Sequence, residues 1–197
     1  MGRLSSGAQP PARTQLRGLA HRAGPVCEPR GLCASRGAGA RVGSPPVGFR
    51  VVPAAYVLLI DAGERVLLQL RRGTGYRDGF WAAAAAGHVE ADEPVFAAAC
   101  REAAEELGIV VEQRDLVPLT TMHRTHGNGL EIDERVDFFF ACRRWTGEPR
   151  TMEPERSAGL GWYPLDALPE PVVPHELFVL EGLRRGDLPV ITAFGFA

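Results

Sequence analysis

The sequence predicts an α/β protein, an α/β/α sandwich built around a mixed β-sheet. Three observations predict this fold class. Short apolar segments bounded by turn residues lie on both sides of one central helical segment. That central segment has apolar residues at a period of 3.6. A second amphipathic segment follows later in the chain, so strands and helices can cover one another in layers.

Three strands are predicted before the central helix. Residues 54–60 and 65–71 are rich in Leu and Val, and residues 61–64 between them are Asp-Ala-Gly-Glu. That combination predicts a hairpin. Residues 73–78 are predicted to form a polar loop, and residues 80–86 a strand that leads into the helical segment.

The central helical segment has an anionic and an apolar face. Glu102, Glu105 and Glu106 occur at i, i+3 and i+4, so they share an arc of about 100° on a helix. An apolar stripe lies roughly opposite and consists of Phe96, Cys100, Ala103 and Leu107. Neighbouring carboxylates destabilise a helix, and a hard divalent cation such as Mg²⁺ suits them as a partner. A solvated acidic face is the alternative.

Local residues also predict where this helix begins and ends. Asp92 or Glu93 is expected to cap its start, with Pro94 in the first turn. Gly108 is expected to take the left-handed conformation that ends it.

Further strands and a second helix are predicted after this segment. Residues 116–123 and 134–142 are predicted strands joined across the turn at residues 127–129, and residues 161–164 a last short strand. Residues 173–184 are predicted to form an amphipathic helix. Its inward residues would be Leu177, Leu180 and Leu183.

The strand at residues 134–142 alternates between two kinds of residue. Val136, Phe138, Phe140 and Cys142 would face the core. Asp137 and Phe139 on the other face would contact a nucleobase. The alternative for Asp137 is an ion pair in the neighbourhood of Arg135.

A longer pattern of fixed spacing surrounds the three glutamates. Five residues separate Gly87 from Glu93, and seven separate Glu93 from Arg101. The pattern then continues with Glu102, apolar Ala103, Glu105, Glu106, Gly108 and aliphatic Ile109. A chance match to all these positions in this chain is on the order of 10⁻⁷ at average residue frequencies. The pattern matches the Nudix box, so residues 50–190 resemble the Nudix hydrolases, which cleave a nucleoside diphosphate linked to another moiety.

The resemblance implies a metal site and the Nudix-type sandwich. Glu102, Glu105 and Glu106 would bind Mg²⁺, with Mn²⁺ as an alternative, together with the backbone carbonyl of Ala86. Many family members have Pro-Gly-Gly before the box, whereas this chain has alanines at residues 84–86. If the carbonyl ligand needs a positive φ, Ala86 would be strained.

The resemblance also implies supporting roles for other box residues. Arg101 and Glu93 would form an ion pair, and Gly87 and Gly108 would shape the loops at the two ends of the box. Ala103 stands where a larger aliphatic residue is usual, which reduces packing without touching the chemistry.

Residues 145–153 resemble a loop of the MutT-type members that carries one more glutamate. Glu153 takes that place, and Glu155 is the alternative. The catalytic set would then be Glu102, Glu105, Glu106 and Glu153. A glutamate would accept a proton from the attacking water, and Glu102, Glu105 and Glu153 are the candidates.

Three histidines are less informative. His88 follows the box glycine, and His123 and His126 flank a turn. No pair of them has a convincing zinc spacing. Each is expected to be a surface residue, with a substrate contact as the alternative.

The resemblance implies a hydrolase acting on phosphoric anhydride bonds of a small-molecule nucleotide. We expect a MutT-type enzyme that converts a nucleoside triphosphate to the monophosphate and pyrophosphate. An ADP-ribose or nucleotide-sugar pyrophosphatase is the alternative, although Arg124 and Thr125 stand where that group often has proline. A nucleotide-binding sensor without turnover is a third possibility, but such domains tend to lose box carboxylates.

Composition bounds the partners and the organisation of the chain. The net charge is only −2, so neither nucleic acid nor membrane is expected as a partner, and four cysteines without a disulfide pattern favour the cytoplasm. A homodimer is compatible with the family, although no residue specifies one. Residues 1–48 hold seven arginines and one acid, and residues 49–197 hold 15 arginines and 23 acids.

Residues 1–48 are rich in Gly, Ala, Pro and Arg and have no sustained hydrophobic period, so they are expected to be a disordered extension. An early start codon, a transit peptide or an anion-binding arm would each account for them. Residues 49–197 would form the Nudix hydrolase domain.

Overall fold

The computed structural model describes residues 48–196. The predicted extension at residues 1–48 lies outside this part of the chain, apart from Gly48. The elements are β1 (Val52–Leu59), β2 (Arg65–Arg71), β3 (Trp81–Ala83), β4 (Ala85–His88), α1 (Val95–Leu107), β5 (Leu116–Arg124), β6 (Arg135–Cys142), β7 (Ser157–Pro164), α2 (Pro174–Arg185) and β8 (Ile191–Phe194). Neither α-helix of residues 48–196 is long and apolar enough to cross a membrane.

The strands form two sheets. The larger sheet has the order β4-β1-β6-β5-β8, with β1 parallel to β6 and β5 parallel to β8. Its other pairs, β1 with β4 and β5 with β6, are antiparallel. The smaller sheet, β3-β2-β7, is antiparallel. The predicted mixed sheet is therefore confirmed.

Both faces of the larger sheet are buried, because successive residues of β1 point to opposite sides. Ala55, Val57 and Leu59 pack in one core cluster with α1 residues such as Ala99 and Leu107. A second cluster contains α2 residues and the opposite face of β1, namely Tyr56, Leu58, Val179 and Leu180. The α/β/α sandwich is confirmed.

Three predictions about the strands were wrong. β1 and β2 do not form a hairpin but belong to different sheets, linked by the single bridge of Ile60 with Val66. Residues 80–86 are not one strand, because the chain leaves the smaller sheet after Ala83 and joins the larger one at Ala85. β7 is not the last strand, since β8 follows α2. The change of sheet places β4 at an edge beside α1.

Phe139 in β6 is not available to a nucleobase. Its side chain is fully buried and its ring stacks on Tyr56 at 4.4 Å between centroids, within the cluster under α2. The opposite face of β6 is also covered, because Phe140 packs in the α1 cluster. Both faces of this strand therefore belong to the core.

The sequence predicted the end of α1 correctly but not its start. Pro94 occupies the N-cap position, so the helix begins one or two residues later than predicted, and among the described residues no side chain caps it. Asp92 has a φ of 62°, and the carboxylate of Glu93 is bound by Arg101. Gly108 has the predicted left-handed conformation, with a φ of 66°.

Candidate active site

The anionic face of α1 contacts the backbone of the edge strand β4. The Ala86 amide donates a hydrogen bond of 2.8 Å to Glu106 Oε2. In an extended strand the N–H and C=O of one residue point to the same side. The Ala86 carbonyl therefore also points away from β1 and towards α1, which is the orientation that a metal-ligating carbonyl requires.

The alanines before the box cause no backbone strain. Positive φ occurs at Glu64, Arg77 and Asp92 among the non-glycine residues that the structure describes, and Ala86 has no such angle. Gly87 is needed for space instead, because a Cβ there would lie only 2.1 Å from Glu102 Oε1. The departure from Pro-Gly-Gly is thus compatible with the close approach of strand and helix.

Arg101 holds several box residues together. It donates to both carboxylate oxygens of Glu93, at 2.9 Å each, and to the carbonyl oxygen of His88 at 2.9 Å. It also donates to Glu102 at 2.8 Å and to Glu105 at 3.0 Å. The guanidinium lowers the pKa of the Glu93 carboxyl. Arg101 therefore links the loop before α1 to two of the three glutamates.

A cavity of about 450 Å³ opens beside these glutamates. Its acidic lining consists of Glu102, Glu105, Glu106 and Glu153, and its basic lining of Arg71 and Arg156. We call it the acidic cavity. The four glutamates of the predicted catalytic set thus lie around one space.

Glu153 reaches the acidic cavity because its loop is tied to the end of α1. The amide of Met152 donates to the carbonyl of Glu106 at 3.0 Å, and the amide of Arg150 donates to that of Leu107 at 3.1 Å. Glu155, the alternative from the sequence, does not line the acidic cavity.

Burial raises the pKa of two cavity carboxyls. Burial raises the pKa of Glu106 to about 8, although the Ala86 amide opposes that shift and the charges of Glu102 and Glu153 add to it. Burial also raises the pKa of Glu102, against the effect of Arg101. A nearby cation would reverse both shifts, because it favours the charged carboxylate.

These donors fit a magnesium ion that keeps other ligands. Within residues 48–196, no three Asp, Glu, His or Cys side chains are placed so that they hold a metal ion by themselves. Mg²⁺ commonly takes only one or two protein carboxylates and completes its shell with waters and substrate phosphates. The Ala86 carbonyl, the buried Glu106 carboxyl and its neighbours provide hard oxygen donors of that kind.

A second cavity, of about 470 Å³, adjoins the acidic one. The two share a lining of Arg71, Thr74, Ala86, Gly87 and His88. Other residues of the second cavity come from distant elements: Tyr56, Tyr76, Arg124, His126, Asp133, Arg135, His175 and Glu176. We call it the nucleoside cavity, because we propose a nucleoside as its ligand.

Nothing in the sequence assigned a site role to three buried groups of the nucleoside cavity, namely Glu176, His175 and Tyr56. Glu176 is buried and accepts a short hydrogen bond from the Ala83 amide, and burial raises its pKa to about 7. His175 contacts the Tyr56 hydroxyl at 3.3 Å, and burial lowers its pKa well below the usual value. The only sequence signal was an acid in the first turn of α2, which ordinarily indicates a solvated helix start.

The three histidines singled out from the sequence separate in space. His88 and His126 line the nucleoside cavity, and His88 also lines the acidic one. His123 lines neither; its ring contacts Phe49 and Phe196. Asp137 does not face a substrate, because it is fully buried and bound by Arg124 at 2.7 Å.

Comparison with known proteins agrees with this geometry. The sequence profile of the NUDIX domain matches residues 50–181. The chain belongs to the Nudix hydrolase family. The predicted family is confirmed, and with it a hydrolase acting on phosphoric anhydride bonds.

Solved structures give the same family and fold. A MutT NUDIX hydrolase from Burkholderia pseudomallei has 33% sequence identity and a TM-score of 0.59, and the match covers 67% of this chain and 97% of that one. A mMutator MutT protein from Bacillus halodurans has 22% identity and a TM-score of 0.56, over 73% and 90% of the two chains. A MutT protein from Methanosarcina mazei Go1 has 18% identity and a TM-score of 0.56, over 73% and 100%. The last two share the fold.

Proposed function

We propose that this Nudix hydrolase is a Mg²⁺-dependent, MutT-like enzyme that converts a nucleoside triphosphate, unmodified or oxidised, to the monophosphate and pyrophosphate. The observation that carries the proposal is the junction of the two cavities at Ala86, Gly87 and His88. A phosphate chain in the acidic cavity would continue into a nucleoside in the other cavity.

The acidic cavity suits the phosphate chain only with a cation. Four glutamates alone would repel phosphates. Glu102, Glu105, Glu106 and the Ala86 carbonyl would hold Mg²⁺, with Mn²⁺ as a substitute. When bound, the ion would neutralise phosphate charge and lower the pKa of a water molecule. Arg71 and Arg156, which also line this cavity, add positive charge for the phosphates.

One glutamate must accept a proton from the attacking water. Arg101 donates to Glu102 and Glu105, so their lone pairs are partly occupied. Within the described part of the chain, the one ion pair of Glu153 is a longer contact of 3.4 Å with the exposed Arg156. We therefore assign the proton-accepting role to Glu153. Glu106 suits the metal better than the proton of the water. Burial and neighbouring charges raise its pKa, and a bound cation would lower it again.

The nucleoside cavity offers aromatic and polar groups to a base. Tyr76 and His126 stack at 5.7 Å between ring centroids at its wall. Glu176, His175 and Tyr56 add buried hydrogen-bonding groups. A cavity of this kind orients a ligand through a few polar groups among apolar surfaces. It supports a substrate with a base at one end and phosphates at the other.

We also propose that the enzyme acts on free nucleotides in the cytoplasm, without nucleic acid or membrane as partners. The net charge of −2 supports this because nucleic-acid binders are usually strongly basic. The thiols of Cys100 and Cys142 are free, as a reducing compartment would keep them.

A nucleotide panel with Mg²⁺ tests the proposal. It would contain unmodified and oxidised nucleoside triphosphates, ADP-ribose, a nucleotide sugar and a dinucleoside polyphosphate, with EDTA as the control. We expect the triphosphates to be hydrolysed most efficiently, with pyrophosphate as a product. Faster cleavage of ADP-ribose or the sugar would replace the MutT-like proposal with the pyrophosphatase alternative. Binding without turnover of any compound would favour a sensor.

A further inference from the structure

His88 stands where the two cavities meet. It follows Gly87 in the sequence, lines both cavities and accepts a hydrogen bond from Arg101 at its backbone carbonyl. Its side chain is therefore held next to the place where the phosphate chain would join the nucleoside. The mechanism proposed above leaves this imidazole without a role.

Arg135 fixes which ring nitrogen of His88 carries the proton. The Nη1 atom of Arg135 lies 2.8 Å from His88 Nε2. A guanidinium can only donate hydrogen bonds. Nε2 must then be the acceptor, and the proton of the neutral ring is on Nδ1. Within residues 48–196, no hydrogen-bond partner reaches Nδ1.

Arg135 is itself held by the buried carboxylate of Asp137. Asp137 Oδ1 lies 3.5 Å from Arg135 Nε, and Asp137 Oδ2 lies 2.7 Å from Arg124 Nε. The carboxylate is fully buried, and each of its oxygens accepts a hydrogen bond from one arginine. Asp137 thus positions both guanidinium groups at the wall of the nucleoside cavity.

The second arginine repeats the arrangement. Arg124 Nη1 lies 3.2 Å from Nε2 of His126, and His126 Nδ1 lies 2.9 Å from Asp133 Oδ1. His88 and His126 therefore each present Nε2 to an arginine and keep a proton on Nδ1. In His126 this proton is used by Asp133, whereas in His88 it is available to a ligand.

We propose that His88 is a substrate-binding residue whose Nδ1–H donates a hydrogen bond to a phosphate oxygen at the junction of the cavities. Arg135 is its positioning residue, because it fixes the tautomer, and Asp137 holds Arg135. This inference rests on the proposed function, since it needs a phosphate chain that passes His88. It adds a specific donor on the nucleoside side of the metal site.

Two substitutions separate the donor from the rest of the ring. In His88→Asn the side-chain amide nitrogen can occupy the place of Nδ1 and still donate. In His88→Gln the amide reaches the place of Nε2 and can accept from Arg135, but nothing donates from the Nδ1 position. Affinity would be measured with a nonhydrolysable imidodiphosphate analogue of the preferred nucleotide, with Mg²⁺ present.

We expect His88→Gln to weaken binding of the analogue and raise KM by roughly ten- to a hundredfold, the range for a hydrogen bond to a charged group. His88→Asn should stay within about threefold of the wild type. His123→Gln, outside both cavities, is the control. Wild-type affinity in His88→Gln, or equal losses in both His88 variants, would overturn the donor assignment. Absence of turnover by the wild type on the whole nucleotide panel would instead defeat the proposed function.

The positioning role of Arg135 has its own readout. Nitrogen NMR of the protein with isotope-labelled histidine reports the tautomer directly, and the His88→Gln spectrum identifies the His88 signals. The wild type should carry its proton on Nδ1, Arg135→Met should shift it towards Nε2, and Arg135→Lys should restore Nδ1. A wild-type His88 protonated on Nε2, or an Arg135→Met spectrum identical to the wild type, would contradict this role.

Discussion

Glu102 fills the space that a side chain on Gly87 would need. A Cβ on Gly87 would lie 2.1 Å from Glu102 Oε1 and 2.2 Å from its carboxyl carbon. The backbone angle of Gly87 is not in the left-handed region, so the glycine is required for space alone. The box glycine and the box glutamate are therefore a packing pair that brings β4 against the anionic face of α1.

Gly87→Ala tests this pair. The added methyl group meets the movable end of a side chain, so we expect Glu102 to be displaced while the fold survives. Hydrolysis should fall at least about tenfold, equivalent to ~1.4 kcal/mol of transition-state stabilisation. The free energy of unfolding should fall by no more than about 1–3 kcal/mol, the usual cost when an added group displaces a packed side chain. Gly48→Ala, where no atom lies within 4 Å of the added Cβ, is the matched control, and equal activity of the two variants would argue against the pair.

Glu153→Gln and Glu155→Gln separate the two loop acids. Glu153 lines the acidic cavity and Glu155 does not. If Glu153 accepts the proton of the attacking water, its loss should lower kcat by about 10²- to 10⁴-fold. Glu155→Gln should keep wild-type kcat. Steady-state kinetics at saturating Mg²⁺ decides the matter, and a larger loss in Glu155→Gln would reverse the assignment.

The sequence predicted the helix α1 and its two faces well, because periodicity and carboxylate spacing are local properties. Ala103 and Leu107 are fully buried, and Glu105 on the opposite side is exposed. The strands β5 and β6 were also predicted, since their β-branched and aromatic runs leave few alternatives. The Nudix box carries its own spacing, so the cluster of Glu102, Glu105 and Glu106 could be predicted as well.

The change of sheet between β3 and β4 could not be predicted. Residues 82–86 are five alanines, which give no alternation of polar and apolar side chains to assign each residue to a face. Tertiary packing decides instead. The Ala83 amide bonds to Glu176 of α2, and the Ala86 amide to Glu106 of α1.

The lining of the nucleoside cavity could not be predicted from the sequence either, because its residues are far apart in the chain. Tyr56, Arg124, Arg135 and Glu176 come from four different elements. The sheet order and the packing of α2 bring them to one wall, and both depend on contacts between residues distant in the sequence.

Glu93→Gln tests how Arg101 is shared between its partners. Glu93 holds Arg101 through two hydrogen bonds of 2.9 Å. Without the charge on Glu93, Arg101 should bind Glu102 and Glu105 more strongly and compete with the metal. We expect the Mg²⁺ concentration for half-maximal activity to rise about three- to tenfold. Glu90→Gln on the same loop, exposed and outside the acidic cavity, should not change it, and an unchanged Mg²⁺ requirement in Glu93→Gln would contradict this role.

Glu176→Gln should change how stability depends on pH. Burial raises the pKa of Glu176 to about 7, so between pH ~4.5 and ~7 the folded protein binds a proton that the unfolded chain has released. The wild type therefore loses stability as pH rises through this window, and the variant lacks that loss. Relative to the wild type, Glu176→Gln should gain up to a few kcal/mol between pH 4.5 and 8, because each pKa unit corresponds to about 1.4 kcal/mol.

Urea unfolding across this pH range in EDTA measures the difference. Glu181→Gln, a half-exposed position of the same helix, should give a curve parallel to that of the wild type. A parallel curve for Glu176→Gln as well would show that its carboxyl titrates normally.

In the proposed mechanism, the buried carboxylate of Glu106 holds a metal ion against the phosphate chain. The most direct test is the turnover of Glu106→Gln with saturating Mg²⁺, on the best substrate of the nucleotide panel. The amide can still accept from the Ala86 N–H, so circular dichroism should match the wild type. We expect kcat to fall at least about 100-fold, whereas Glu112→Gln on the exposed surface should retain the wild-type rate. Wild-type turnover by a correctly folded Glu106→Gln would show that this carboxylate does not hold the metal.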